Sequence, residues 1–281
     1  MPDRVSILFL GDIIGRPGRN ALKKFLPGLV AKHNPSLIVA NVENAAGGLG
    51  LTEDIGRELL DQADILTSGN HIWDKKEVRD FLEREKRLLR PANYPPGNPG
   101  RGDVVRPDRR GRKVSVINLQ GRVFMEPIDC PFRTADALLE KIRPETPVIV
   151  VDFHAEATSE KQALGWYLDG RVTAVLGTHT HVPTADERVL PGGTAYLTDV
   201  GMAGAANSVI GMKREQALEK ILTEVDRLRP DMIVMGSHGH GALYHLLTGN
   251  VCAGVLKKAT CPVVVVPSRQ PAEKVTEEVT H

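Results

Sequence analysis

The stretch Val5-Ser6-Ile7-Leu8-Phe9-Leu10-Gly11-Asp12 is a short apolar run that ends abruptly in a glycine and a carboxylate. Runs of β-branched and aromatic residues bounded by turn residues are typical of buried strands. The same pattern returns along the chain, and longer amphipathic stretches separate the runs. This alternation predicts an α/β protein built on largely buried strands. The predicted strands are Val5–Leu10, Leu37–Val42, Asp64–Thr67, Val114–Leu119, Val148–Phe153, Val172–Leu176 and Thr194–Leu197.

The composition narrows the class of protein. The 281 residues are 41% hydrophobic and 25% charged, which is typical of a globular chain, and no run approaches the roughly 18 apolar residues of a spanning helix. Lys and Arg total 36 against 35 Asp and Glu, so global charge favours neither a nucleic-acid partner nor a membrane. Three widely spaced cysteines form no disulfide framework. We therefore expect a cytoplasmic protein.

Polar residues stand where most of the predicted strands end. In open α/β sheets, ligands bind in the crevice outside the carboxyl ends of the strands. Residues far apart in the sequence are therefore expected to converge on one site. The strand-end segments are Gly11-Asp12, Glu43-Asn44, Gly69-Asn70-His71, His154 and Gly177-Thr178-His179.

The residue types in these segments favour a metal site. His179 and His181 are two residues apart, which lets both imidazoles face one cavity. Imidazole with carboxylate is a ligand set for Zn, Mn or Fe, and Asp12 and Glu43 supply carboxylates. For Asp12 alone, capping of the following helix is an alternative, and Asn44 alone could begin a turn.

Five ordered blocks of the sequence resemble those of calcineurin-like metallophosphoesterases. The resemblance is closer to the YmdB-like 2',3'-cyclic-nucleotide phosphodiesterases, and it covers about residues 4–212. The blocks are Gly11-Asp12-Ile13-Ile14-Gly15-Arg16, Asn41-Val42-Glu43-Asn44-Ala45, Gly69-Asn70-His71-Ile72-Trp73-Asp74, Asp152-Phe153-His154-Ala155-Glu156 and Gly177-Thr178-His179-Thr180-His181-Val182.

The resemblance implies a layered sandwich of two β-sheets flanked by helices, with a dinuclear metal centre. It assigns Asp12, Asn44 and His181 to the first metal. It assigns Asn70, His154 and His179 to the second, and it makes Glu43 the bridge. His71 stays free to protonate the leaving group. The implied metals are iron or manganese, with zinc as an alternative.

The implied activity is hydrolysis of 2',3'-cyclic nucleotides by a metal-activated hydroxide. Weaker action on other phosphodiesters and on phosphomonoesters is expected. The Pro-, Gly- and Arg-rich stretch from Arg90 to Lys113 is expected to be a long loop bordering the site.

The sequence after Met212 differs from the part that resembles a metallophosphoesterase. It reads as one further βαβ unit and resembles the second half of a universal stress protein, which predicts a chimera of segments 1–212 and 213–268 with a disordered tail at 269–281. Gly236, Gly239 and Gly249 have the spacing of a nucleotide-phosphate turn, although Asn250 replaces the usual Ser or Thr. Two alternatives thus remain open: an ATP-binding module and an inactive chimeric fold.

One strand of the segment after Met212 is expected to pack against another surface. The apolar Val263–Val266 strand would promote aggregation as an open edge. It is therefore expected either to dock on the phosphoesterase core or to form a homodimer.

Overall fold

The computed structural model describes residues 4–237 and 251–267. Its backbone divides into two compact units, which meet in the sequence between Ala206 and Asn207. The mixed α/β class predicted from the sequence is confirmed. Among the described residues, no helix is long and apolar enough to cross a membrane.

The described strands are numbered in chain order. They are β1 (Ile7–Leu10), β2 (Asp12–Ile13), β3 (Leu37–Asn41), β4 (Ile65–Thr67), β5 (Asp103–Pro107), β6 (Lys113–Gln120), β7 (Ile149–His154), β8 (Ala174–Thr178), β9 (Arg188–Val189), β10 (Ala195–Leu197), β11 (Met202–Ala203), β12 (Ile233–Ser237) and β13 (Val263–Pro267).

The described helices are numbered in the same way. They are α1 (Gly15–His33), α2 (Glu53–Leu60), α3 (Val78–Arg84), α4 (Pro131–Ile142), α5 (Thr158–Tyr167), α6 (Arg214–Leu228) and α7 (Val251–Lys258), with a 3-10 helix at Asn70–Trp73 between β4 and α3.

Two main sheets form the first unit. The smaller is parallel, in the order β1-β3-β4, and the larger runs β5-β6-β7-β8-β10-β9. The larger sheet is parallel from β6 through β10, while β5 and β9 are antiparallel edge strands. A short third pairing joins β2 to β11. The residues that the sequence singled out lie at or just after the carboxyl ends of β1, β3, β4, β7 and β8.

Apolar clusters lie on both faces of the two sheets. One cluster contains residues of β1, β3 and β4 together with residues of β5 and β6, so it fills the space between the sheets. A second packs the other face of β3 and β4 against α1, α2 and α3, and a third packs β6, β7 and β8 against α4 and α5. Because apolar side chains cover both faces of the sheets, polar side chains are left to the ends of the strands.

The segment from Arg90 to Lys113, predicted as a long loop, also contains a strand. It contains β5, which pairs with β6 in an antiparallel hairpin. The turn of this hairpin is held by the buried carboxylate of Asp108, which accepts hydrogen bonds from the backbone of Arg110 and Arg112 and pairs with the Arg112 guanidinium. The Pro and Gly content obscured this strand, since only Val104 and Val105 mark it in the sequence.

The second unit contains α6, β12, α7 and β13 among its described residues. β12 and β13 pair in parallel along their full length, as expected for one βαβ unit. Gly254 of α7 allows close helix packing, because a Cβ there would lie 2.5 Å from a methyl carbon of Leu218 in α6. Residues 238–250 and the predicted tail at 269–281 lie outside the described residues.

Candidate metal centre

The structure brings the seven predicted ligand residues together at the carboxyl ends of strands. Asp12 lies in β2 and His154 ends β7, while Asn70 begins the 3-10 helix that follows β4. The rest lie in the connections after β3 and β8, namely Glu43, Asn44, His179 and His181. Two groups of side-chain donor atoms close enough to share an ion occur here, and Glu43 belongs to both.

The first group surrounds Nε2 of His154. This nitrogen lies 2.9 Å from Oε2 of Glu43, 3.1 Å from Oδ1 of Asn70 and 3.0 Å from Nδ1 of His179. A single N–H on His154 can serve only one of these three acceptors. Two ligands at right angles, each about 2.1 Å from a metal ion, lie about 3.0 Å apart. The spacing therefore fits ligand atoms of Glu43, His154 and His179 that share one cation, and Asn70 lies next to them.

The second group joins Asp12, Glu43 and His181. Oδ1 of Asp12 is fully buried and has no hydrogen-bond partner, which is costly for a carboxylate oxygen. Asn44 contacts Oε1 of Glu43 at 2.7 Å and Nε2 of His181 at 3.2 Å, both through its side-chain nitrogen. The orphaned oxygen of Asp12, together with a carboxylate oxygen of Glu43 and an imidazole nitrogen of His181, fits a second cation.

The pKa values show how strongly these buried groups interact. Burial raises the pKa of Asp12 to about 8. Burial also disfavours ionised Glu43, but the charge and hydrogen bond of His154 lower the pKa of Glu43 to about 2. Burial works against a proton on His154 too, yet Glu43 and Asp12 raise the pKa of His154 to about 9. Without a metal, His154 therefore carries the positive charge that the carboxylates require.

A hydroxyl fixes the orientation of His154. Thr178 donates its hydroxyl hydrogen to Oδ1 of Asp152 at 2.7 Å, so its oxygen accepts from Nδ1–H of His154 at 2.9 Å. Nδ1 is thereby engaged, and Nε2 is left for the site. No sequence pattern shows that Thr178 connects Asp152 to His154. Only the register of β7 and β8 places them together.

The loop that carries His179 and His181 adopts an unusual backbone. Both histidines have positive φ angles, 99° and 66°, which are rare for residues other than glycine. Between them, Thr180 donates through its backbone N–H and its hydroxyl to Oδ2 of Asp199, which also pairs with Lys161 at 2.7 Å. Lys161 and Asp199 are both buried. This buried ion pair therefore holds the loop in place through Thr180.

His179 has a second anchor on its outer side. Its Nε2 lies 3.0 Å from a carboxylate oxygen of Glu156, so the ring offers Nδ1 to the site. Burial and the nearby charge of His154 lower the pKa of His179 to about 3. His179 is thus a neutral imidazole, the form that binds metal ions.

His71 lies beside the cluster and is about one-third exposed. Its backbone N–H contacts Oε2 of Glu43 at 3.3 Å, and its Nδ1 lies 2.9 Å from Oδ2 of Asp74. Asp74 lies in the segment Gly69–Asp74, and the sequence pattern alone assigns it no role. Its spacing of three residues from His71 in a helical turn is the signal that could have found it.

Gly69 is required by the crowding of the site. A Cβ at this position would lie 2.2 Å from the ring of His154 and 2.3 Å from Oε2 of Glu43. Any side chain there would displace two of the predicted ligands.

The predicted glycine turn stands apart from these residues in the sequence. Gly236 lies in β12, whereas Gly239 and Gly249 lie outside the described residues. Their assignment to nucleotide phosphate stays a prediction.

The fold and the site together define an α/β protein with a candidate dinuclear metal centre at the carboxyl ends of its strands. The model of the YmdB-like protein family matches residues 8–238, and the chain belongs to this family. The match continues past Met212, where the sequence suggested a seam.

Two curated relatives carry enzyme names. The chain is 52% identical over 222 residues to a 2',3'-cyclic-nucleotide 2'-phosphodiesterase of Bacillus subtilis, covering 79% of this chain and 84% of the relative. It is 37% identical over 232 residues to a putative phosphatase/phosphodiesterase of Mycoplasma genitalium, covering 79% and 80%.

Two solved structures are similar to the structure of this protein. A hypothetical protein from Thermus thermophilus gives a TM-score of 0.73 at 47% identity, covering 78% of this chain and 85% of that one. A phosphatase from Mycoplasma pneumoniae gives 0.74 at 37% identity, covering 79% and 81%.

Proposed function

We propose that the protein is a dinuclear metal-dependent phosphodiesterase that hydrolyses 2',3'-cyclic nucleotides. The observation that carries the proposal is the double cluster of donor atoms that share Glu43. The similarity to the Bacillus subtilis phosphodiesterase supports the same chemistry and substrate class.

The residues divide into two ligand groups around Glu43. Asp12, Asn44 and His181 would hold one ion, and Asn70, His154 and His179 would hold the other. When bound, such ions supply the positive charge and the Lewis acidity that phosphoryl transfer requires. The assignment rests on the distances among the donor atoms and on the orphaned oxygen of Asp12.

His71 has the role of a general acid in this proposal. Water adds to phosphorus, the P–O2' bond breaks, and a 3'-phosphomonoester with a free 2'-hydroxyl results. Because Asp74 engages Nδ1 of His71, Nε2 is the nitrogen that gives its proton to the departing 2'-oxygen. The exposure of this ring gives substrate access to it.

The test is hydrolysis of 2',3'-cyclic AMP by the purified protein loaded with iron, manganese or zinc. The wild-type protein should release the 3'-phosphomonoester, and elemental analysis should find two metal equivalents for each chain. Glu43→Ala should abolish turnover and lower the metal content, because it removes the oxygen atoms shared by both groups. Glu140→Ala, an exposed residue of α4, is the matched control and should change neither.

The opposite results would contradict the proposal. Full turnover by Glu43→Ala would refute the bridging role of this carboxylate. A wild-type protein that binds two metal ions but leaves cyclic nucleotides and activated phosphodiesters intact would refute the activity while leaving the centre in place.

Three further predictions stay with the proposal. They are a cytoplasmic location, a homodimer through Val263–Val266, and the universal-stress-protein origin of the C-terminal segment with ATP binding at its glycine turn. In the described residues, β13 pairs with β12, and Val264 and Val266 are exposed. Light scattering would test the dimer, and equilibrium dialysis would test ATP binding.

A further inference from the structure

We infer that Phe124 is the stacking surface for the base of the nucleotide substrate. The inference rests on the proposed phosphodiesterase function and names a specificity residue for it. Phe124 is 88% exposed, the highest value among the large hydrophobic residues in the described part of the chain. A single exposed apolar residue needs no explanation by itself, but the backbone and the position of Phe124 set it apart.

The backbone of Phe124 is strained. The N–H of Met125 donates to the carbonyl of Arg122 at 3.3 Å, which closes a turn with Phe124 at its third position. The φ of Phe124 is 62°, and a type II turn requires a positive φ at this position. Glycine or asparagine is the usual residue there, whereas a bulky residue is an outlier. Strain of this kind persists where the surroundings impose it, and it clusters at ligand sites.

A buried carboxylate holds the turn in place. Glu160 of α5 accepts hydrogen bonds from the backbone N–H groups of Arg122 and Val123 at 3.0 to 3.1 Å. Gly121 allows the close approach, because a Cβ there would lie 2.5 Å from an oxygen of Glu160. The exposed phenyl ring is therefore presented on a fixed turn, which lowers the entropy cost of binding to it.

The turn adjoins the candidate metal centre. The N–H of Gly121 donates to the carbonyl of His154 at 2.9 Å, and Phe124 follows Gly121 by three residues, a span of at most about 11 Å. Arg122, which is also exposed, lies in the same turn. In this inference, a nucleotide whose phosphate is bound at the centre extends its base toward this turn.

Gln120, at the end of β6, has an unsatisfied polar atom next to this turn. It pairs in register with His154, so its side chain lies on the same face of the sheet. Its Oε1 accepts from the Tyr94 hydroxyl at 3.1 Å, but its buried Nε2 has no acceptor among the described residues. A buried donor without an acceptor is rare, and this one lies directly before the turn that carries Phe124.

A nucleobase is the substrate group that an exposed phenyl ring recognises best. Stacking of a base on an aromatic side chain is tolerant of base identity and contributes about 1–3 kcal/mol for each base. Phe124 is therefore expected to favour nucleotides over base-free cyclic phosphates without choosing strongly among the bases.

The experiment compares 2',3'-cyclic AMP with glycerol 1,2-cyclic phosphate, which carries the same reactive ring but no base. Phe124→Ala should lower kcat/KM for the nucleotide by about 5- to 150-fold, as the loss of one stacked base implies, and should leave the glycerol substrate unchanged. Phe124→Trp should retain the preference for the nucleotide. The tryptophan emission that it adds should be quenched when 3'-AMP binds.

Phe124→Gly separates a ligand role from a structural one. Glycine relieves the positive φ, so the melting temperature should be equal to or higher than that of the wild type while nucleotide selectivity falls as in Phe124→Ala. Unchanged selectivity in Phe124→Ala and Phe124→Gly would overturn the inference but leave the proposed function standing. If the wild-type protein hydrolysed neither substrate, the proposed function would fail, and absence of emission quenching in Phe124→Trp would then overturn the stacking site separately.

Discussion

His71 and His154 lie close together in the cleft, and their surroundings give them different chemistry. His154 is fully buried, and its Nδ1 contacts the hydroxyl of Thr178. Its Nε2 lies within 3.1 Å of three other candidate metal-ligand atoms. His71 is partly exposed, and its Nδ1 contacts Asp74. A buried imidazole with contacts at both ring nitrogens is suited to bind a metal ion. A partly exposed imidazole is suited to transfer a proton to or from a substrate.

Replacement of His71 by alanine tests this division. His71→Ala should retain two metal equivalents, because the seven clustered donor residues are intact, while kcat falls by about 10²–10⁴, as for the loss of a general acid. Elemental analysis and steady-state kinetics measure the two effects. His33→Ala, at the exposed end of α1, is the control and should match the wild type. Loss of metal from His71→Ala would make His71 a ligand instead.

At the scale of elements, the loop after β8 depends on support from α5. The connection that carries His179 and His181 takes two positive φ angles, and it is held by hydrogen bonds from Thr180 to Asp199. The charge of Asp199 is balanced in turn by Lys161 of α5. The orientation of two predicted ligands therefore depends on a buried ion pair that lies outside the ligand set.

Lys161→Met should expose this dependence. Removal of one partner leaves the charge of Asp199 buried and unpaired, which should lower the free energy of unfolding by about 3–5 kcal/mol and weaken metal binding. Urea unfolding and metal titration measure the two effects. The double variant Lys161→Met/Asp199→Asn removes both charges and should regain part of the stability. A single variant as stable as the wild type, with unchanged metal affinity, would show that the pair does not support the loop.

At the scale of the whole molecule, the seven predicted ligands all belong to the unit that ends at Ala206. A ligand that binds only the folded state stabilises it by about 2.7 kcal/mol at one hundred times its Kd. Metal should therefore slow hydrogen exchange in the buried strands of the first unit, and leave the segment after residue 207 unchanged. Hydrogen-exchange mass spectrometry resolves the two segments.

The same measurement should depend on pH. The pKa of His154 is raised to about 9 in the metal-free protein, so below this pH a metal ion must displace a proton from the ring. The metal-induced protection should accordingly be larger at pH 8.5 than at pH 6.5. Equal protection at both pH values, or protection spread over both units, would contradict the predicted ligand set.

Much of the fold could be predicted from the sequence because buried strands have a local signature. The predicted bounds agree with the structure to within two residues at each end for seven strands, β1, β3, β4, β6, β7, β8 and β10. β5 was missed because proline and glycine surround its two valines, and β2, β9 and β11 were missed because two-residue strands have no periodicity. These short elements form only through pairing with distant partners.

The sequence by itself determined the α/β class and the residue types gathered at strand ends, because strand burial and turn chemistry are encoded locally. Tertiary structure alone decided which of those residues share a point in space, since Asp12, Glu43 and His154 come from strands far apart in the chain. It also decided the supporting contacts of Thr178, Lys161, Glu156 and Glu160. Such contacts depend on strand register and helix packing, which no local pattern records.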